Sequence, residues 1–186
     1  MFDRYEFFRN LYFHELERRQ SLLGLVAPPV TLTGLVAGTL GYVATHFKFG
    51  GTPYRLSWLL ESLFWGATLA AATLLAYVGW HIARILAGPG YKHLPEPPVL
   101  LDHLRKLERW HRTAGSREPA NAADRDFADG LIGELAKSSG ENWHHNRVQS
   151  MRLWRANSAV AGAAVALVVA MICYYADFLL DSSTSS

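Results

Sequence analysis

One cysteine in 186 residues, Cys173, leaves no partner for a disulfide and no cysteine-based zinc site. Charge is also scarce. Lys, Arg, Asp and Glu make up 18% of the chain, against about 25% in an ordinary soluble domain. Half of the residues are hydrophobic, which excludes disorder as the main state. The net charge is only +2, so no nucleic-acid partner is expected. The chain has no phosphate-cradling Gly-Lys-Ser/Thr loop, no Gly-x-Ser-x-Gly elbow and no Cys/His zinc spacing. With no nucleophile triad either, the expectation is a non-enzymatic protein without cofactor or metal.

What is present is an uneven spread of the few charges. No Asp, Glu, Lys or Arg occurs over the 28 residues from Gln20 to Phe47, the 19 from Ser62 to Trp80, or the 21 from Ala156 to Ala176. A helix rises 1.5 Å per residue, and a bilayer core of about 30 Å takes roughly 20 residues. Three such gaps predict an all-α membrane protein with three transmembrane helices and the lipid bilayer as its first partner.

The flanks set the direction. Arg4, Arg9, Arg18 and Arg19 precede the first gap, and only Lys48 and Arg55 separate the first from the second. Twelve basic residues lie from Arg84 to Arg155, and none follows Tyr175. Basic segments resist translocation. The expected location is therefore a cell inner membrane, with a cytoplasmic N-terminus and a periplasmic C-terminus. The mixed, aromatic first twenty residues do not read as a signal peptide.

Along the chain, residues 1–20 read as an amphipathic cytoplasmic helix, with Phe2, Tyr5, Phe8, Tyr12 and Leu16 on one stripe. That stripe can lie on the inner leaflet or against other cytoplasmic helices. Residues 21–87 read as a membrane hairpin. Pro28-Pro29 should kink or start its first span, roughly Leu22–Phe47, and Thr52-Pro53 should start its second. Residues 88–155 read as a helical cytoplasmic insert, opened by the stiff run Leu94-Pro95-Glu96-Pro97-Pro98. Leu100, Leu104, Leu107 and His111 share one helix face. Ala123, Phe127, Leu131 and Leu135 share another, and Ser138-Ser139-Gly140 should break that pattern. Residues 156–177 form the third span, and a disordered tail is expected over 178–186.

Small residues recur every fourth position in each span: Gly34 and Gly38; Ser62, Gly66 and Ala70; Ser158, Gly162, Ala166 and Ala170. Lipid offers helices no hydrophobic reason to associate, so close backbone approach must supply the contact. Three such faces point to helix packing and a homo-oligomer. The ionisable residues His46, Glu61, His81 and Arg84 all sit near span ends, where snorkelling is cheap. No charge at mid-membrane argues against an ion-coupled carrier.

Two constellations carry chemistry. Arg109, Trp110, Trp143, Arg147 and Arg155 can hold an anionic, stackable ligand such as a nucleotide, or can form a juxtamembrane anchor belt. Glu108 with His111, and Glu141 with His144, are two Glu-x-x-His pairs of the kind that build a di-iron site, although the remaining ligands are incomplete.

The layout resembles small bacterial anti-phage membrane effectors, the SLATT-like and Pycsar-type transmembrane effectors. The likeness is carried by Tyr5-Glu6-Phe7-Phe8 with Glu15-Leu16-Glu17-Arg18-Arg19 before span one. It is also carried by Arg147 with Arg152-Leu153-Trp154-Arg155-Ala156-Asn157 leading into span three. The resemblance implies an effector triggered by a nucleotide second messenger, a cyclic pyrimidine nucleotide in the Pycsar case. It would then impair the inner membrane and abort infection. The chain departs from a complete sensor in having no recognisable cyclic-nucleotide-binding β-barrel. A membrane-bound di-iron oxidoreductase and a non-catalytic accessory subunit are the alternatives.

Overall fold

The computed structural model describes the backbone of residues 3–47, 55–88 and 90–184. Five helices follow one another: α1 (Arg4–Gly24), α2 (Ala27–His46), α3 (Arg55–Leu86), α4 (Pro97–Thr113) and α5 (Pro119–Thr184). Among the described residues there is no strand. Three stretches are long and apolar enough to cross a membrane, within Arg4–His46, Trp58–Leu86 and Pro119–Ala176. The protein is therefore all-α with three candidate spans.

Local chemistry sets the helix ends. The Asp3 carboxylate accepts the backbone N–H groups of Tyr5 at 2.9 Å and Glu6 at 3.2 Å, capping α1. A break at Leu25-Val26 separates α1 from α2, and Pro28-Pro29 occupies the first turn of α2, where a missing N–H costs nothing. The helix α2 thus begins at Ala27, and residues 22–24 finish α1. The expected turn Phe49-Gly50-Gly51-Thr52-Pro53 lies outside the described residues. Gly115, with φ of +75°, ends α4. Its N–H bonds the Arg112 carbonyl at 3.3 Å, and the Ser116 N–H reaches back to His111 at 3.1 Å. That pair of bonds requires a left-handed residue between them.

Two sequence expectations change here. Ser138-Ser139-Gly140 does not interrupt α5, which runs 66 residues from Pro119 to Thr184. Serine and glycine each cost a helix interior no more than about 1 kcal/mol, and Ser138 and Ser139 are buried. The tail is helical as far as Thr184 rather than disordered over 178–186.

The chain divides into two compact units. The first holds Met1–Leu22 and Pro89–Val148; the second holds Leu23–Gly88 and Gln149–Ser186. In the first, Tyr12 and Glu15 of α1 are buried and Tyr5 is exposed. The α1 stripe therefore packs partly on protein, which favours one of its two readings.

The second unit packs α2, α3 and the distal part of α5. Its core is layered. Val43, Phe47 and Phe64 meet Ala170 and Cys173; Val36 and Leu40 meet Ala71, Ala163 and Leu167; Val78 meets Ala156, Ala159 and Val160. Phe64, Ala71 and Val78 step by seven on α3, as do Ala156, Ala163 and Ala170 on α5, the repeat of left-handed helix packing. Alanines on α5 face the larger side chains of α2 and α3, which lets the backbones approach. Four threonine hydroxyls find partners on their own helix. Thr31, Thr39, Thr45 and Thr73 donate to the carbonyls of Ala27, Leu35, Gly41 and Leu69 at 2.8–3.1 Å. Leu35, Leu69, Val165 and Ile172 point outward, as lipid-facing residues would.

Ala163 is fully buried in the middle layer. Ala163→Leu should overpack that layer and lower stability by about 1–3 kcal/mol, read from denaturation in detergent micelles. Gly66→Leu, with open space around its Cβ position, should leave that stability nearly unchanged.

Candidate functional site

Residues 90–96 leave α3 and reach α4 as an extended, proline-containing segment, so their backbone groups have no helical partners. Asn142 on α5 supplies them at Lys92, and Asn146, one turn further, ties the Tyr91 side chain to α1. The Asn142 side chain accepts the Lys92 N–H at 3.1 Å and donates to the Lys92 carbonyl at 3.2 Å. One amide thus satisfies both backbone groups of one residue. Asn146 accepts the Tyr91 hydroxyl and donates to the Glu15 carbonyl and to Glu15 Oε2, both at 2.8 Å. The Tyr12 hydroxyl accepts the Leu94 N–H at 3.2 Å. Tyr12, Glu15, Tyr91, Asn142 and Asn146 are all buried.

Charge surrounds this clamp at its rim. Lys92 pairs with Glu141 at 3.2 Å, Arg18 lies 3.9 Å from Glu15, and the Arg19 guanidinium sits 4.3 Å from the Tyr91 ring centroid. Burial pushes the Tyr91 hydroxyl above its ordinary pKa of 10.0, and the Arg19 charge opposes that push. The Ser139 hydroxyl and His145 Nδ1 are buried there without a hydrogen-bond partner.

A second feature of the same unit is a half-open cavity of about 530 Å³ between α4 and α5. Val99, Leu100, Phe127 and Leu131 form its apolar wall, and Asp102, His103, Lys106 and Glu134 its polar edge. Lys106 bonds Asp102 at 2.7 Å and holds that carboxyl below its usual range. His111 bonds Asp126 at 2.8 Å, tying α4 to α5 further along. In size this cavity suits a small amphipathic molecule.

Four of the five ligand residues expected from sequence fall into two pairs, and the fifth, Arg155, belongs to the other unit. Arg109 and Trp110 lie on α4, where Arg109 donates to the Arg105 carbonyl at 3.4 Å and Trp110 stacks edge-on against His111. Trp143 and Arg147 lie on α5, with the guanidinium 5.5 Å from the Trp143 centroid. His111 marks where α4 meets Asp126, and Trp143 is 17 residues beyond Asp126 on one helix, about 26 Å away. One ligand cannot touch all four within one chain, which corrects the single-site expectation. The same spacing separates the two Glu-x-x-His pairs. His111 is bound to Asp126 and Glu141 to Lys92, about 22 Å further along α5. Among the described residues no three His, Cys, Asp or Glu side chains gather as metal ligands.

The packing residues also divide. A Cβ on Gly162 would lie 3.2 Å from Leu74 Cδ1, so Gly162 belongs to the chain's own bundle. Cβ atoms on Gly34, Gly38 or Gly66 would meet nothing within 4 Å, and Ser158 is exposed. Sequence reasoning missed Asn142, Asn146 and Tyr91. The available signal was two asparagines four apart on a helix, together with a proline-rich segment whose backbone needed partners.

Asn142→Ala should free the Lys92 backbone, costing roughly 1–3 kcal/mol locally. Amide exchange at Lys92 should rise by about tenfold or more, and trypsin should cut there sooner. Because the folded pKa of Tyr91 is raised, its stabilising contribution is complete below pH 10.0 and fades as pH climbs through the folded value. Exchange protection of residues 91–94 should drop in that alkaline range. Tyr91→Phe, though weaker at neutral pH, should lack that part of the pH dependence.

No family model, no curated protein and no solved structure matches this chain.

Proposed function

We propose that this chain is a non-enzymatic membrane effector of a bacterial antiviral defence system. In this reading a nucleotide second messenger, a cyclic pyrimidine nucleotide, reaches the unit formed by Met1–Leu22 and Pro89–Val148. The membrane helices then associate between copies and impair the inner membrane, aborting infection. The basic residues before α2 and between Arg84 and Arg155 support a reading with that unit and the N-terminus in the cytoplasm and the C-terminus in the periplasm.

The observation that carries this reading is the division of the small-residue faces. The chain packs its own bundle through Ala71, Ala156, Ala163 and Ala170. Gly34 and Gly38 on α2, and Ser62, Gly66 and Ala70 on α3, remain exposed. In lipid such faces are where another helix can approach closely, and a second copy supplies one. For the messenger, the exposed Trp143 with Arg147 beside it offers a stacking face and a cation. The amphipathic cavity between α4 and α5 lies in the same unit.

Induced expression in cells supplied with cyclic UMP or cyclic CMP should depolarise the inner membrane, read with a potential-sensitive dye. Gly34→Leu combined with Gly66→Leu should leave the protein inserted and folded yet abolish both depolarisation and cross-linking between copies. Depolarisation equal to wild type by that variant removes the packing mechanism. Absence of calorimetric binding by either nucleotide to the purified chain removes the messenger. Gly162→Leu is a poor probe, because it strikes the chain's own core at Leu74.

A further inference from the structure

The Leu86 end of α3 carries positive charge that its own unit does not neutralise. Arg84, Arg152 and Arg155 lie there, and His81 is one turn deeper. The carboxylates of this unit are Glu61, Asp177 and Asp181. Glu61 is 23 residues before Arg84 on α3, and Asp177 is 22 residues after Arg155 on α5. At 1.5 Å per residue both are more than about 30 Å away along their helices.

The three arginines and His81 are gathered by packing. Val78 meets Ala156, Ala159 and Val160, with Ile82 against the same layer, which brings Arg152 and Arg155 alongside the last turns of α3. Arg152 Nη1 donates to the Arg84 carbonyl at 3.1 Å, satisfying one orphan acceptor of the α3 terminus and leaving its other N–H groups available. The charges of Arg155 and Arg152 both reach His81. His81 is 8% exposed, and its Nδ1 is buried without a partner. Gln149 closes the same end, its Nε2 only 2.7 Å from where a Cβ on Gly88 would stand. The Arg84 guanidinium lies 4.8 Å from the Trp80 ring centroid, and Trp80 and Trp154 are both largely exposed. Exposed tryptophans of a membrane protein settle at the depth of the lipid headgroups.

We infer that Arg84, Arg152 and Arg155, set around the buried His81, form a binding site for the phosphate of an anionic phospholipid. The chemistry is that of a phosphodiester oxygen pair facing guanidinium forks, the geometry arginine meets best. The flanking tryptophans select the membrane as the source of that phosphate, since a headgroup lies beside them whenever the helices are inserted. The inference is independent of any second messenger.

The full-length chain, purified in detergent, is offered phosphatidylglycerol or phosphatidylcholine and examined by native mass spectrometry. Phosphatidylglycerol should be retained and phosphatidylcholine lost. Arg155→Gln should lower phosphatidylglycerol occupancy roughly fivefold, from about 1 kcal/mol per basic group near the headgroups, and Arg152→Gln should add a similar loss. Arg152 also caps α3, so Arg155→Gln decides the matter if Arg152→Gln does not fold. Arg117→Gln, outside this unit, should change nothing. Equal retention of the two lipids, unchanged retention by Arg155→Gln, or an equal loss in Arg117→Gln would each overturn the site. Displacement of the lipid by inorganic phosphate would overturn its assignment to a lipid.

Discussion

Every backbone polar group shielded from water must find a partner, and this protein meets that requirement in two ways. Where apolar length takes it into lipid, the chain is helical and bonds itself. The hydroxyls of Thr31, Thr39, Thr45 and Thr73 turn back onto their own helices for the same reason, whereas those of Thr33 and Thr68 are buried without a partner. Residues 90–96 run extended ahead of α4, and Tyr91 is the one buried residue among them. Asn142 serves both backbone groups of Lys92, the Tyr12 hydroxyl serves the Leu94 N–H, and Asn146 holds the buried Tyr91 hydroxyl. Removing the Asn142 amide leaves part-buried backbone groups unsatisfied, which costs more than the bond itself is worth.

The second organising fact is a difference of period. On α3, large and small residues step by seven toward the interior through Phe64, Ala71 and Val78. The every-fourth-residue series Ser62, Gly66 and Ala70 occupies another face of the same helix and is exposed. One helix therefore carries two packing surfaces. On α5 the two series overlap, since Gly162 approaches Leu74 while Ala163 and Ala170 fill the core. A four-residue spacing alone does not say which surface a chain uses on itself, because both periods are compatible with close helix contact.

The spans were legible because charge is excluded from lipid, and Gln20–Phe47, Ser62–Trp80 and Ala156–Ala176 contain none. The start of α2 was legible only in part, because Pro28-Pro29 allowed either a kink or a start and the span was expected from Leu22. The continuity of α5 was not. Ser138-Ser139-Gly140 has the composition of a break, but small side chains are what a crowded contact needs, and burial outweighed propensity. The candidate ligand residues were misjoined for a geometric reason. Arg109 with Trp110 and Trp143 with Arg147 look alike in sequence, yet the meeting of His111 with Asp126 fixes the register of α4 on α5 and strands the second pair far along the helix. The role of Glu15 was not legible because it reads as one charge of a mixed amphipathic helix, whereas its carboxylate and carbonyl both serve Asn146.

The charge of the membrane unit is polar along its length. Toward one end Lys48 and Arg55 stand in sequence with Glu61, Asp177 and Asp181, so acids offset bases; toward the other the charged residues of the unit are Arg84, Arg152 and Arg155. Two forces acting on a membrane protein favour this arrangement together. Basic segments resist translocation, a force that acts on orientation. An anionic inner leaflet attracts the same bases once they are there. A random scatter of these arginines could satisfy the first force, because it depends only on their number and side. The second rewards convergence, since several guanidinium groups on one phosphate gain more than the same groups dispersed. Arg152 and Arg155 lie nearly one turn apart beside the end of α3, with a buried imidazole between the helices. That convergence is a feature orientation alone does not require.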